Sequence, residues 1–151
     1  MVRRSILVNA PQAHAFDAFT GRFADWWPLA THHIGAEPAE TAVLEPRAGG
    51  RWFERAADGS ECDWGRVLVW EPPRRVVLAW DIDAEWKYRP DLGVEVEIRF
   101  VAEGPDATRV ELEHRGLDRY GDKAAAMRDA FESDGGWGGI LRAFAEAAAV
   151  R

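Results

Sequence analysis

Apolar residues change their period near residue 40, and the change divides the chain into two kinds of element. Residues 2–9 read as a strand ended by Asn9-Ala10-Pro11, and Pro11 suits the first position of a helix, where its missing N–H costs nothing. Phe16, Phe19 and Phe23 then recur at i, i+3 and i+7 and are followed by Trp26 and Trp27. That spacing predicts two short helical segments, broken near Thr20-Gly21 and stopped by Pro28. From residue 41 the period is two, and runs at 41–45, 50–56, 61–71, 74–82, 93–102 and 107–115 read as strands. Asp58-Gly59, Pro72-Pro73 and Gly104-Pro105-Asp106 separate consecutive runs. Connections this short permit only antiparallel neighbours, because a parallel pair needs a long crossover.

The last two strands alternate most cleanly. Val94, Val96, Ile98 and Phe100 oppose Glu95, Glu97 and Arg99, and Val110 and Leu112 oppose Arg109, Glu111 and Glu113. One face of the sheet is therefore wet and the other needs a cover. Trp137, Ile140, Leu141, Phe144, Ala145 and Ala148 form an apolar stripe that supplies it, on a helix of about four turns. Arg142 and Glu146 fall on the opposite side of that helix as an i,i+4 pair. A shorter helical stretch, 122–132, precedes it and is interrupted by Asp134-Gly135-Gly136. The predicted fold is α+β, in the order β-α-α-β6-α: a curved antiparallel sheet wrapped around a long C-terminal helix. A curled sheet cannot touch that helix along its whole length, so a space is expected between them. Residues 67–70 and 76–79 are apolar on both faces, which predicts a second layer or a homodimer contact over Val67, Val69, Val77 and Ala79.

Composition narrows the function. The 151 residues suit one domain, 1–151, with a core that needs neither disulfide nor metal. Lys and Arg number 19 against 26 Asp and Glu, a net charge of −7, so no basic face is expected and nucleic acid is excluded as a partner. Cys62 is alone, nothing resembles a signal peptide, and no apolar run approaches the roughly 20 residues of a membrane span. A cytoplasmic protein with no membrane partner is the expectation. Eight tryptophans stand out in this acidic chain. Each brings a large apolar area and one N–H that wants a partner, which suits both cores and pocket walls.

Several motifs resemble a known family. Val8-Asn9-Ala10-Pro11, Phe16-Asp17-Ala18-Phe19 and Trp26-Trp27-Pro28 look like the opening of the START-like (SRPBCC, helix-grip) superfamily. Within it, Glu45-Pro46-Arg47-Ala48-Gly49-Gly50-Arg51, Trp64-Gly65-Arg66-Val67, Trp70 to Trp80 and Gly135-Gly136-Trp137 resemble the group related to the activator homologue of the heat-shock-protein-90 ATPase. The resemblance spans nearly the whole chain. It implies a helix-grip fold around an apolar cavity, in a superfamily that includes lipid and hormone carriers as well as polyketide cyclases and aromatases. Shared fold does not transfer chemistry. Two segments depart from the general pattern and are candidate places of ligand choice: Thr31-His32-His33-Ile34-Gly35, and the loop from Asp83 to Leu92 that contains Trp86.

The expected ligand is a small apolar or aromatic molecule. Trp26, Trp80, Trp86, Val96, Ile98, Leu112, Trp137, Leu141 and Phe144 are the residues expected to line or support its site, with His114 as its polar marker. His114 continues the inward face of the last strand, where it reads either as a general acid–base group or as a rim histidine bonded to backbone. Glu54 shares the parity of Trp52; facing inward, it needs a donor such as Arg66 or a ligand amine, and an outward Trp52–Glu54 face at an oligomer contact is the equal alternative. His114 and Glu54 are the two candidates for catalysis. Adjacent His32 and His33 lack a ligand spacing that would make a metal site, so neither metal nor cofactor is expected. A binding module, a cyclase or aromatase using the same cavity, and a co-chaperone-like interaction domain are the three functional readings.

Overall fold

A computed structural model of the protein describes residues 1–150. β1 (Val2–Val8) leads into α1 (Gln12–Gly21) and α2 (Phe23–Trp26). Six strands follow: β2 (Ala39–Leu44), β3 (Arg51–Ala56), β4 (Glu61–Glu71), β5 (Arg75–Trp80), β6 (Val94–Gly104) and β7 (Ala107–Arg115). α3 (Ala124–Glu132) comes after a 3-10 segment, Leu117–Lys123, and α4 (Gly139–Ala148) after a π-helical turn, Asp134–Gly138. Every predicted strand is present, with ends displaced by no more than two residues.

The strands form one antiparallel sheet in the order β1-β7-β6-β5-β4-β3-β2. β1 closes onto β7 with Ile6 opposite Val110 and Val2 opposite His114, so the first and last strands are neighbours. Register shifts interrupt β2/β3, β3/β4 and β4/β5, between Ala39 and Thr41, Trp52 and Phe53, and Val67 and Val69. Such irregularities bend a strand and sharpen its twist, which curls this half of the sheet around its apolar face. Val94, Val96, Ile98, Phe100, Val110 and Leu112 are all buried there, as the alternation predicts.

α4 lies in the hollow of the sheet and buries Ile140, Leu141, Phe144 and Ala148. Its body is packed with rings: Phe144 meets Phe19 at 5.2 Å and Trp26 at 5.0 Å, and Phe16 meets Phe100 at 5.1 Å. Edge contacts of this kind contribute about 0.5–1.5 kcal/mol each beyond burial. The helix is shorter than expected, at ten residues. Trp137 belongs instead to the π-helical turn, where Gly136 leaves helical geometry at φ −95° and ψ −142°. A Cβ on Gly136 would collide with the carbonyls of Ala130 and Phe131, so glycine there lets the π-helical turn close against the end of α3. Arg142 and Glu146 are exposed and form no ion pair among the described residues, contrary to the i,i+4 expectation.

The doubly apolar run of β4 has a bulge at its centre. The shift between Val67 and Val69 turns Val67 into the core and leaves Val69 beside Val77 on the outer face. Val77 and Ala79 are buried within the chain itself. Among the described residues no second layer covers them. Around them Glu97 takes ion pairs from Arg75 at 3.3 Å, Arg99 at 2.9 Å and Arg115 at 2.5 Å, and the stems of such arginines cover apolar surface. Burial works to raise the Glu97 carboxyl, but the Arg115 and Arg99 contacts win and hold it below the ordinary value.

Leu141 is 2 % exposed inside this packing. Leu141→Trp should therefore overpack the core and cost about 1–3 kcal/mol, read as a lower denaturant midpoint at unchanged slope.

Candidate functional site

A cavity of about 420 Å³ opens beside the N-terminal end of α4. Its back wall is Trp64 and Trp80 of β4 and β5 with Ile82 just beyond. Phe131 of α3, Trp137 of the π-helical turn and Ile140 of α4 form one side, and Trp27 with the Thr31–Ile34 segment forms the other. Trp86 stands at the mouth. Among the described lining residues none is Asp, Glu, Lys or Arg. A site without charge, walled by rings, favours an uncharged ligand with a flat apolar body, because an ion would lose its hydration there with nothing to replace it.

Trp80, Trp86 and Trp137 of the expected site residues border this cavity. Trp26, Val96, Ile98, Leu112, Leu141 and Phe144 sit in the packed core behind it. Trp26 even spends its N–H on the Ala18 carbonyl, at 3.0 Å. The space lies at one end of the terminal helix because the rings of α1, α2 and α4 fill the rest of the hollow. Trp27, Trp64, Ile34, Ile82, Phe131, Ile140, His32 and His33 also line the cavity and were absent from the expected set. Only the departure of Thr31 to Gly35 from the family pattern pointed to any of them.

His114 is fully buried, one layer behind the wall. It is not the rim histidine bonded to backbone: its Nδ1 accepts the Trp137 indole N–H at 2.9 Å. The proton therefore sits on Nε2, which is buried without a partner. Its ring stacks on Phe131 at 4.1 Å, so it fixes two cavity-wall rings at once. Burial pushes its pKa down to about 3, and the imidazole is neutral at physiological pH.

Glu54 faces inward and is 2 % exposed. Its donors within the chain are two backbone amides and an indole, not Arg66. Ile34 N–H donates to it at 2.6 Å, Gly35 N–H at 3.2 Å and Trp64 Nε1–H at 2.8 Å. Arg66 reaches Asp91 instead, at 3.4 Å. One carboxylate thus pins the Thr31–Gly35 segment to the back wall. Gly35 suits the close approach, since a Cβ there would stand a tight 3.0 Å from Glu54 Oε2 and 3.3 Å from Cys62 Sγ. The Cys62 thiol is raised by burial and then by Glu54 and Asp63, which keeps it unreactive.

His32 fastens the other side of the same segment. Nε2 donates to the Gly135 carbonyl at 2.6 Å and Nδ1 accepts from Thr31 Oγ1 at 2.7 Å. Trp86 is held differently. Its φ is +60°, a left-handed conformation costing an L residue roughly 1–2 kcal/mol. Asp83 Oδ1 imposes it by accepting the N–H groups of Glu85 at 2.9 Å and Lys87 at 3.0 Å. The indole is 45 % exposed and 6.3 Å from Phe131 across the mouth. No three His, Cys, Asp or Glu side chains are grouped to hold a metal ion among the described residues.

Fold and cavity together define a helix-grip protein with an aromatic-walled pocket. The family profile described as "Activator of Hsp90 ATPase homolog 1-like protein" matches residues 9–149, and the chain belongs to that family. Among solved structures it is similar to an anthrahydroquino-gamma-pyrone synthase, Txn09, at 40 % identity over 96 % of this chain and 94 % of that one, with a TM-score of 0.67. It is also similar to CalC, a self-sacrificing resistance protein from Micromonospora echinospora, at 32 % identity, 97 % and 92 % coverage and a TM-score of 0.69. An Aha1 dimer from Colwellia psychrerythraea shares the fold at 17 % identity, 99 % and 98 % coverage and a TM-score of 0.63. No curated protein matches. No helix among the described residues is long and apolar enough to cross a membrane.

Proposed function

We propose that the chain, as one START-like domain in the cytoplasm, encloses an uncharged planar aromatic molecule in the tryptophan-walled cavity. The observation that carries this reading is the lining itself: six aromatic rings and no charged side chain around about 420 Å³. Flat rings stack on indole at little conformational cost, whereas a flexible fatty chain gains less from such walls and loses more freedom on binding.

Ile140 and Leu141 give the direct test, because they are adjacent on α4 and only Ile140 borders the cavity. Ile140→Trp should fill the space and abolish binding of 1,8-dihydroxyanthraquinone, measured by quenching of tryptophan fluorescence, with the fold kept. Equal affinity in the variant would count against the cavity as the site. Trp86→Gly should relieve the left-handed strain and leave stability unchanged or higher by about 1 kcal/mol. It should still weaken anthraquinone binding by about tenfold, since a stacking ring at the mouth is lost.

The likeness to Txn09 favours a second reading, in which the bound molecule is also changed. That protein's name describes formation of a γ-pyrone on an anthrahydroquinone, and a planar aromatic molecule of that kind suits an uncharged, ring-walled cavity. The interaction-domain reading asked for a broad apolar patch over Val67, Val69, Val77 and Ala79; among these only Val69 is even half-buried rather than buried. A homodimer, as the Aha1 dimer forms, remains compatible with the chain and is read by sedimentation equilibrium.

A further inference from the structure

We propose that His33 is the proton-transfer group of a ring closure in this cavity, positioned by Glu54; the proposal rests on the second, enzymatic reading above. His32 and His33 are the titratable side chains among the described lining residues. His32 has both ring nitrogens engaged, with Thr31 and with the Gly135 carbonyl. His33 differs. Its Nδ1 lies 3.2 Å from the Gly35 carbonyl, which can only accept, so Nδ1 carries the proton. Nε2 is left with a free lone pair and makes no hydrogen bond among the described residues. The Glu54 carboxylate stands 3.8 Å behind Nδ1, in a position to stabilise the imidazolium when Nε2 takes a proton. Base, orienting carbonyl and buried carboxylate follow the logic by which an imidazole is fixed in one tautomer and supported as a cation.

The reaction that fits is cyclodehydration of an o-hydroxyaryl 1,3-diketone to a γ-pyrone. His33 Nε2 takes the phenolic proton, the oxygen attacks the distal ketone carbon, and the carbonyl π pair moves to its oxygen. The imidazolium returns its proton to that alkoxide and gives a hemiketal. Nε2 then removes a proton from the methylene between the hemiketal carbon and the remaining aryl ketone, whose carbonyl makes that proton acidic. The carbanion forms the ring double bond and expels hydroxide, which leaves as water with the proton from Nε2. One water is lost and nothing is oxidised or reduced. The ring walls hold the diketone flat against the aryl plane, which brings the phenol to the carbonyl.

The test uses 1-(2-hydroxyphenyl)butane-1,3-dione, whose product is 2-methylchromone, with cyclisation followed by absorbance and binding by fluorescence quenching. His33→Gln should lower kcat by about 100-fold or more while the dissociation constant of 2-methylchromone changes by less than about 2-fold. Glu54→Gln keeps an acceptor for Ile34 N–H but loses the charge, and should lower kcat by about tenfold with KM nearly unchanged. Nitrogen-15 shifts of His33 should report a protonated Nδ1 and an unprotonated Nε2 in the wild type, a signature that a merely structural histidine need not show. Wild-type kcat in His33→Gln, or a proton on Nε2, overturns the assignment. Quenching by the diketone or by 1,8-dihydroxyanthraquinone without catalysed cyclisation overturns it too, and leaves the pocket reading standing. No quenching by either overturns both.

Discussion

Lowering the pH from 6.5 to 3 should remove roughly 4–5 kcal/mol of folding stability through His114 alone. The group's folded pKa, about 3, lies below its ordinary value of 6.5. As the pH falls through 6.5 the unfolded chain takes up a proton that the folded chain refuses. The unfolded state then binds more protons, so stability drops with a slope of about 1.4 kcal/mol per pH unit until the folded imidazole itself is protonated. Asp81 works in the other direction: burial raises its carboxyl, so it opposes folding at neutral pH and the opposition is relieved on acidification. Urea unfolding at closely spaced pH values between 6.5 and 4.5 separates His114 from the carboxylates. His114→Phe should remove most of the slope in that interval. It should also free the Trp137 N–H, leaving a buried donor unpaired at a cost of about 1–3 kcal/mol at neutral pH. An unchanged slope in the variant would contradict the account of a buried neutral imidazole.

Glu54→Ala should cost about 3–5 kcal/mol, the second largest effect expected. The carboxylate accepts two backbone N–H groups and one indole N–H, and alanine leaves all three without a partner. The loss is not confined to stability. Ile34 and Trp64, two of those donors' residues, both border the cavity. The Thr31–Gly35 segment should detach far enough for water to reach its amides, which would raise hydrogen exchange at Ile34 and Gly35 above that of neighbouring β3. Protection factors equal to wild type at those two amides would show that the segment is held by something other than Glu54.

How far this could be read in the sequence differs between fold and site. Alternation placed the strands to within two residues, because on a half-wet sheet each residue's face is decided by a single property. The bulges were not legible. Shifting Val67 from one face to the other changes no residue type, so the apolar run from Val67 to Trp70 looked double-sided when it was displaced. The length of the terminal helix failed for a related reason, since Gly136 fits a helix interior or its interruption equally well until the end of α3 is packed against it. Within the site, a tryptophan that fills the core and one that walls a cavity have the same chemistry. Trp26 and Trp27 are adjacent, yet one packs on Phe144 at 5.0 Å and the other borders the space. Parity left Glu54 free to face inward or outward, and two of the three donors it finds inside come from backbone about twenty residues upstream, where no spacing rule encodes a main-chain amide. The His32-His33 pair gave a signal by departing from the family pattern. Its meaning depended on which ring nitrogens were already engaged.

The central claim is that the cavity selects flat, uncharged aromatic molecules, and native mass spectrometry in competition tests it most directly. Protein mixed with equal amounts of 1,8-dihydroxyanthraquinone and palmitic acid should carry one anthraquinone and no palmitate, and Ile140→Trp should carry neither. A palmitate adduct in place of the anthraquinone, or no adduct at all with the wild-type protein, would contradict the account.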